Sequence, residues 1–284
     1  MTHAPAPPAP QPLLGGRGHD PAGMGDRRFG RRNWRGLATL ASRETRRFLN
    51  VWSQTLAAPL ITAGLFLLIF SIAIGPSRPD VMGVPFLEFL APGIMMMTVI
   101  QNAFANTSSS LVVAKVQGNI VDTLMPPLSG GELVAGYVAG GVARGLVVAL
   151  VMILVAALFL GQGLAHPLWV LAFVVLGSAM LGGLGLLAAI WAEKFDQMAA
   201  ITNFVVTPLA FLSGTFYSVD AMPPAMAVLI HWNPVFYLID GARYGTIGAS
   251  DSSPWLGLAV CAGTTALVLA ACWWAFRTGY RLKP

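Results

Sequence analysis

The stretch GLVVALVMILVAALFLGQGLAHPLWVLAFVVLGSAMLGGLGLLAAIWA, residues 145–192, decides how this chain folds. It lies between Arg144 and Glu193 and contains no Lys, Arg, Asp or Glu. A helix that spans a bilayer needs about 20 apolar residues, so the window is twice the required length. Gly161, Gly163, His166 and Pro167 interrupt its middle. Glycine ends helices and proline starts them, so the window reads as two spans, about 143–163 and 167–191. Working outward, further charge-free windows run between Arg47 and Arg78, Glu88 and Lys115, Asp196 and Asp220, and Asp251 and Arg277. They add spans at about 52–74, 88–113, 198–218 and 254–276. The fold class expected is an all-α polytopic membrane protein with six transmembrane helices.

Composition agrees. Of 284 residues, 56% are hydrophobic and only 10% charged. A soluble domain carries about 25% charged residues. A secreted disulfide module, a disordered chain and a nucleic-acid-binding domain are thereby excluded. The net charge of +5 is explained by its placement. Nine arginines precede the first span (Arg17, Arg27, Arg28, Arg31, Arg32, Arg35, Arg43, Arg46 and Arg47), and Lys115, Lys194, Arg277, Arg281 and Lys283 fall on the same side of six spans. Arg78 and Arg243 fall on the other. Positive charge marks the cytosolic side, so both termini are expected there.

Residues 1–30 are rich in Pro, Gly and Ala and read as a disordered cytosolic tail. Residues 31–50 change character. Trp34, Leu37, Ala38 and Ala41 recur at helical spacing beside Arg35, Arg43, Arg46 and Arg47, the pattern of an amphipathic helix in the membrane interface. Between Asp220 and Asp240 another charge-free window carries Pro223, Pro224, His231, Asn233 and Pro234. Prolines break a helix, so 219–245 reads as a re-entrant segment of short helical pieces on the outer side. Pro59, Pro92 and Pro208 are expected to kink their helices.

Chemistry-bearing groups are sparse. No predicted span carries Asp or Glu near its centre, which argues against a proton-coupled carrier. No G-x-x-x-x-G-K-[ST] sequence occurs, so any ATP-driven role needs a partner chain. Cys261 and Cys272 sit about 16 Å apart along one helix, too far for a disulfide. The four histidines are scattered. Ser178 and Ser213 fall in spans while His166 and His231 fall in loops, which disfavours an intramembrane enzyme. Gly183-Leu184-Gly185-Leu186-Leu187-Ala188 matches G-x-G-x-x-A but lies inside an apolar helix, where close packing explains it. Gly136–Gly140 and Gly141–Gly145 are G-x-x-x-G pairs that favour helix contact, within the subunit or with a second copy.

Asn102 and Asn106 share one face of the second span. They line a path or hold a dimer. Arg144 stands at the edge of its window and is read as snorkelling to the cytosolic interface. A helix beginning near residue 133 would instead carry it deep. The loop Gln117-Gly118-Asn119-Ile120-Val121-Asp122-Thr123-Leu124-Met125 ends at Pro126. Residues 119–125 read as a short helix of mixed apolar and polar residues, which either docks on a soluble partner or is a simple interfacial connector.

These residues resemble the ABC-2-type permeases, the membrane subunits of ABC exporters, and within them the YadH-like branch near the permeases for nodulation factors and polysaccharides. The likeness runs from about residue 34 to the C-terminus. It rests on Leu87-Glu88-Phe89-Leu90-Ala91-Pro92-Gly93, the Asp122–Leu128 loop and Gly136–Gly145. It rests further on Ser213-Gly214-Thr215-Phe216-Tyr217-Ser218, Met222-Pro223-Pro224, His231-Trp232-Asn233-Pro234 and Gly241-Ala242-Arg243-Tyr244-Gly245. The resemblance implies a homodimer in the bacterial inner membrane, bound to two copies of an ATPase chain that holds ATP and Mg. This chain would then be a transport subunit with no nucleotide-binding domain of its own, and neither cofactor nor nucleic acid would bind it. Residues 117–125 would be the coupling helix, with Gln117, Asn119, Ile120, Val121, Asp122 and Leu124 meeting the ATPase. Arg43 and Glu44 of the helix at 34–49 would form a second contact. Substrate would pass between the subunits along Asn102, Asn106, Phe204, Phe211, Phe216 and Tyr217, the aromatics serving alternatively as interface anchors. The competing reading is an ATP-independent secondary transporter or channel.

Overall fold

The structure is a computed structural model that describes residues 33–73 and 79–282. The expected tail at 1–30 lies outside the described residues, as do Arg31, Arg32, Arg78 and Lys283. The chain is helical, with no strand among the described residues. Helix α1 spans Trp34–Leu49. Helix α2 begins as a π turn, Ser53–Ala57, and continues over Ala58–Ala73. Helix α3 runs Phe86–Val116, the short α4 covers Ile120–Leu124, α5 runs Gly130–Leu160 and α6 Pro167–Trp191. Then come α7 (Phe195–Ile201), a π turn (Thr202–Val206) and α8 (Thr207–Phe211). Helices α9 (Pro224–His231), α10 (Pro234–Ile247) and α11 (Pro254–Thr278) complete the order.

Five helices, α2, α3, α5, α6 and α11, are long and apolar enough to cross a membrane. Where a further span is expected at 198–218, the helix comes in pieces of 7, 5 and 5 residues. The pieces have a common cause. Proline lacks an N–H and its ring crowds the carbonyl four residues earlier. For Pro208 that carbonyl belongs to Phe204, and for Pro59 to Thr55; both lie inside π turns. The widened turn absorbs the misfit, as π bulges do. Pro92 is carried inside α3 with no such turn.

The boundary at 161–167 follows the sequence signals. Gly161 ends α5 at φ 66°, a left-handed conformation that costs glycine little. Pro167 opens α6 at its first turn, where its missing N–H costs nothing. The start of α5 departs from expectation. Ser129 and Glu132 form a reciprocal capping box: the Ser129 backbone N–H donates to Glu132 Oε2 at 2.6 Å, and the Glu132 N–H donates to Ser129 Oγ at 3.4 Å. Helix α5 therefore begins at Gly130, not near 143, and Arg144 sits in its middle.

Helix α3 is the centre of the bundle and packs against α2, α5, α6 and α10. This position explains its polar run. Asn102, Asn106, Thr107, Ser108 and Ser110 are all buried against other helices. Helix α2 is the opposite case, with Ile61, Leu65, Leu68, Ile69 and Ile72 exposed. The glycine pairs act within the subunit. A Cβ on Gly136 would meet Leu40, and one on Gly140 would meet Glu44 Cβ at 2.4 Å, so α1 lies against α5. Gly141 faces Thr107, and Gly145 faces Ser178. Gly183 and Gly185 serve close packing as well, against α11 and α3.

At the end of the bundle away from α4, the carboxylates of Asp240 and Asp251 flank Arg243. The Arg243 side chain is fully buried. One of its nitrogens donates to the Gly214 carbonyl at 2.8 Å, and another lies 3.8 Å from Asp251 Oδ2 and 4.0 Å from Asp240 Oδ1. The guanidinium stacks 3.9 Å from the Phe89 ring centroid. Asp240 accepts from the Asp251 and Ser252 backbone N–H groups at 2.8 and 2.9 Å, and Asp251 accepts from Ser218 Oγ and Val219 N. The cluster joins α10, the Gly214 turn, the start of α11 and α3.

Candidate functional site

At the α4 end, α1 and α4 border one groove of about 880 Å³. Helix α1 is laid down by an ordinary N-cap: the Asn33 side chain accepts from the Gly36 N–H at 2.9 Å, and the Asn33 N–H donates to Glu132 Oε1 at 2.6 Å. Its apolar face carries Leu40 and Phe48 into the core. Its basic face supplies Arg43, Arg46 and Arg47 to one wall of the groove. Gln117, Asn119 and Asp122 stand on the other.

Glu44 is the hinge pin of this arrangement. It is 0% exposed. Its carboxylate pairs with Arg43 and Arg47, each at 3.2 Å, and accepts from Ser110 Oγ of α3 at 2.9 Å. Arg47 continues the tie, donating to the Asn106 carbonyl at 2.6 Å and to Ser109 Oγ at 3.2 Å. A buried carboxylate needs such partners. Glu44 therefore holds α1 against α3 at the floor of the groove. Ile120, 4% exposed, is likewise turned inward with Thr123. These two side chains seat α4 and leave Val121, Asp122 and Leu124 outward, with Gln117 and Asn119 exposed just before them. Arg43 is exposed at the rim.

Lys115, near the end of α3, ties that helix to α6. Its ammonium donates to three carbonyls at the end of α6: Ala189 at 3.1 Å, Ile190 at 2.8 Å and Ala192 at 2.7 Å. A cation there caps orphan carbonyls and complements the helix dipole. Lys115→Met is expected to cost about 1.5–3 kcal/mol, the worth of hydrogen bonds to a charged group. Thermal unfolding of the purified chain measures this, and an unshifted midpoint would mean that water replaces the ammonium without loss.

The residues expected along a path are divided by the structure. Asn102 and Asn106 lie on the α3–α5 seam, and both are engaged within the subunit. Arg144 donates to Asn102 Oδ1 through Nε at 3.1 Å and through a terminal nitrogen at 2.6 Å. Arg144 is only 9% exposed, so the snorkelling reading is replaced by the deep one, because the capping box starts the helix early. Phe204 is 81% exposed and Phe211 also faces outward. Phe216 stacks on Phe211, Phe66 and Phe70, with centroids 5.3–5.9 Å apart. The Tyr217 hydroxyl donates to the Leu212 carbonyl at 2.8 Å, closing the turn after α8. Cys261 and Cys272 are buried free thiols. No cluster of three potential metal ligands occurs among the described residues.

Sequence reading missed the partners of Arg243, Lys115 and Glu44. The spacing Asp240-x-x-Arg243 in an apolar stretch was a usable signal for the first. For the others, the partners come from helices distant in sequence.

The sequence is similar to known proteins. Residues 35–247 match the family model described as ABC-2 type transporter. The inner membrane transport permease YadH of Escherichia coli (strain K12) is 36% identical over 218 residues, 77% of this chain and 85% of that protein. The same values hold for the YadH proteins of Escherichia coli O157:H7 and Shigella flexneri.

Proposed function

The chain belongs to the ABC-2 type transporter family and is a membrane permease subunit, and on that premise we propose how it is driven and what it drives. It forms the translocation path of an ATP-binding-cassette exporter and works as a homodimer in the bacterial inner membrane, with both termini cytosolic. Two copies of a separate ATPase chain dock on it. ATP and Mg belong to that partner, because this sequence holds no phosphate-binding loop. The observation that carries the reading is the groove between α1 and α4. It brings two segments far apart in sequence onto one surface, with Gln117, Asn119 and Asp122 on one side and Arg43 and Arg46 on the other, while Val121 and Leu124 are exposed on the same short helix. An apolar side chain flanked by charges of both signs suits a soluble protein surface.

Coupling then has a physical route. Closure of the ATPase pair on ATP presses α4 and α1. Helix α4 is joined to α3 by three residues, and α1 is bound to α3 by Glu44–Ser110 and Arg47–Asn106. Lys115 passes the displacement to α6. The push selects one arrangement of the spans because the closed ATPase binds that arrangement better. Substrate passes between the two copies, with Phe204, Phe211, Phe216 and Tyr217 on the outer part of the route and Asn102 and Asn106 behind its inner wall.

The test is co-purification of the tagged chain with its ATPase, followed by ATPase assays in lipid. Asp122→Ala with Leu124→Ala is expected to weaken the complex by about tenfold or more, as loss of central contact residues does. The bundle's melting temperature should not move, since both side chains are exposed. A complex and an ATPase rate both indifferent to these changes, with transport persisting in liposomes without ATP, would overturn the proposal in favour of an ATP-independent carrier.

A further inference from the structure

Among the described residues, none supplies an opposite for the charge of Arg144. It lies 14 residues into α5, about 21 Å along the axis. Asn102 lies the same distance from the far end of α3, so the two meet deep in the seam. Both hydrogen bonds of the guanidinium end on Asn102 Oδ1, and Asn102 Nδ2 is turned back to the Thr98 carbonyl at 2.9 Å. Among the described residues no carboxylate pairs with Arg144. Glu44, on the same seam, is already held by Arg43, Arg47 and Ser110. No Asp or Glu lies between Glu88 and Asp122 or between Glu132 and Glu193, so neither these spans nor the same spans of a second copy bring one to this depth. One helical turn away, buried Asn106 Nδ2 has no acceptor. The seam thus has surplus donors and surplus positive charge. A guanidinium buried inside a membrane helix without an anion is costly, and such groups mark ligand pathways.

Beside this seam a cavity of about 270 Å³ opens between α2 and α3. Gln54, Thr62, Thr98, Gln101 and Asn102 give it neutral hydrogen-bonding walls. Gln54 is exposed and stands in the π turn of α2, and Gln101 is half-buried. Asn102 is the shared wall: one side faces the cavity, and the other is gripped by Arg144. Amide donors around a space larger than a carboxylate, with a guanidinium behind, suit a group bearing several anionic oxygens.

We propose that this cavity is a subsite for a phosphate-bearing anionic group, held by Gln54, Gln101 and Asn102 with Arg144 supplying the charge from behind. The site is separate from the groove at α1 and α4 and does not depend on the ATPase reading. The same chemistry has two sources, a bilayer lipid headgroup or a soluble phosphate compound. Native mass spectrometry of the full-length chain separates them, with phosphatidylglycerol, phosphatidylcholine and inorganic pyrophosphate as probes. Wild type is expected to retain one of the anionic probes over phosphatidylcholine. Arg144→Gln should lower that retention by about tenfold or more, the loss expected when a nearby buried charge is removed. Arg35→Gln, an exposed arginine of α1, should not. Dependence on phosphatidylglycerol alone assigns the lipid source, and dependence on pyrophosphate assigns the soluble one. Gln54→Ala and Gln101→Ala leave the Arg144–Asn102 bonds in place and should weaken the same probe, which keeps the question decidable if Arg144→Gln does not fold. Retention of both anionic probes unchanged in the Gln54 and Gln101 variants, or no preference over phosphatidylcholine in wild type, overturns the proposal.

Discussion

Arg243→Leu is expected to be the most damaging single substitution at the end of the bundle away from α4. It leaves Asp240 and Asp251 buried 1–2% exposed at their side chains with no cation between them. Breaking a buried ion pair by removing one partner costs about 3–5 kcal/mol, far more than the intact pair contributes over an apolar replacement. The Gly214 carbonyl also loses its donor, and the ring of Phe89 loses the cation above it. Total stability is on the order of 5–15 kcal/mol, so the variant should accumulate poorly. What survives purification should melt at least about 10 °C lower. Adding Asp251→Asn to Arg243→Leu should recover part of the loss, because it removes one of the stranded charges while keeping an acceptor for Val219 N–H. A midpoint that does not fall in the single variant, or does not rise in the double one, would show that water already reaches the cluster.

Gly185→Val is the second. A Cβ at Gly185 would lie 2.4 Å from Thr107 Oγ1 and 2.6 Å from the Phe104 carbonyl oxygen. The carbonyl belongs to the backbone of α3 and cannot rotate away. Helices α3 and α6 form the most extensive pairing in the bundle, so they must separate along their length. Thr107 would also lose its 2.7 Å bond to the Gly182 carbonyl. Overpacking costs about 1–3 kcal/mol where side chains can give, and here the upper end or beyond is expected. Gly64→Ala is the internal control. Nothing lies within 4 Å of its added Cβ, and alanine gains about 0.8–1 kcal/mol of helix propensity over glycine. Unfolding midpoints in one detergent should therefore move in opposite directions. If both fall alike, the loss at Gly185 is not specific to the α3–α6 contact.

The two predictions differ in how far the sequence foreshadowed them. Gly183 and Gly185 were legible as packing glycines because they stand in an apolar run with no strand before them. The partner helix was not legible, since small residues permit close approach from any direction. Arg243 was visible only as one of two cations expected on the side away from the termini. Its ion pairs depend on Asp251 folding back over α10, eleven residues after Asp240, and no periodicity encodes that return. Arg144 could be placed either deep or at the interface from the sequence, and the structure decides for a local reason. The charge-free window began after it, whereas the helix begins at the Ser129–Glu132 capping box, and capping outranks hydropathy in setting a helix start. Glu44 looked like a surface charge on an amphipathic helix. Its burial follows from Gly140, which lets α1 approach α5 closely enough to carry the carboxylate to Ser110.

By itself, the sequence determined the helical class, the break at 161–167, the helix at 34–49, the short helix before Pro126 and the family likeness. All of these rest on local rules: apolar length, glycine and proline stereochemistry, and amphipathic spacing. Only the tertiary structure decided that α1 and α4 share a groove, that Glu44 and Arg47 fasten it to α3, and that Arg144 lies deep beside Asn102. Those facts depend on which helix faces rotate toward one another. In a mostly apolar chain, that choice is set by a few small residues and buried polar pairs whose partners are dozens of residues away.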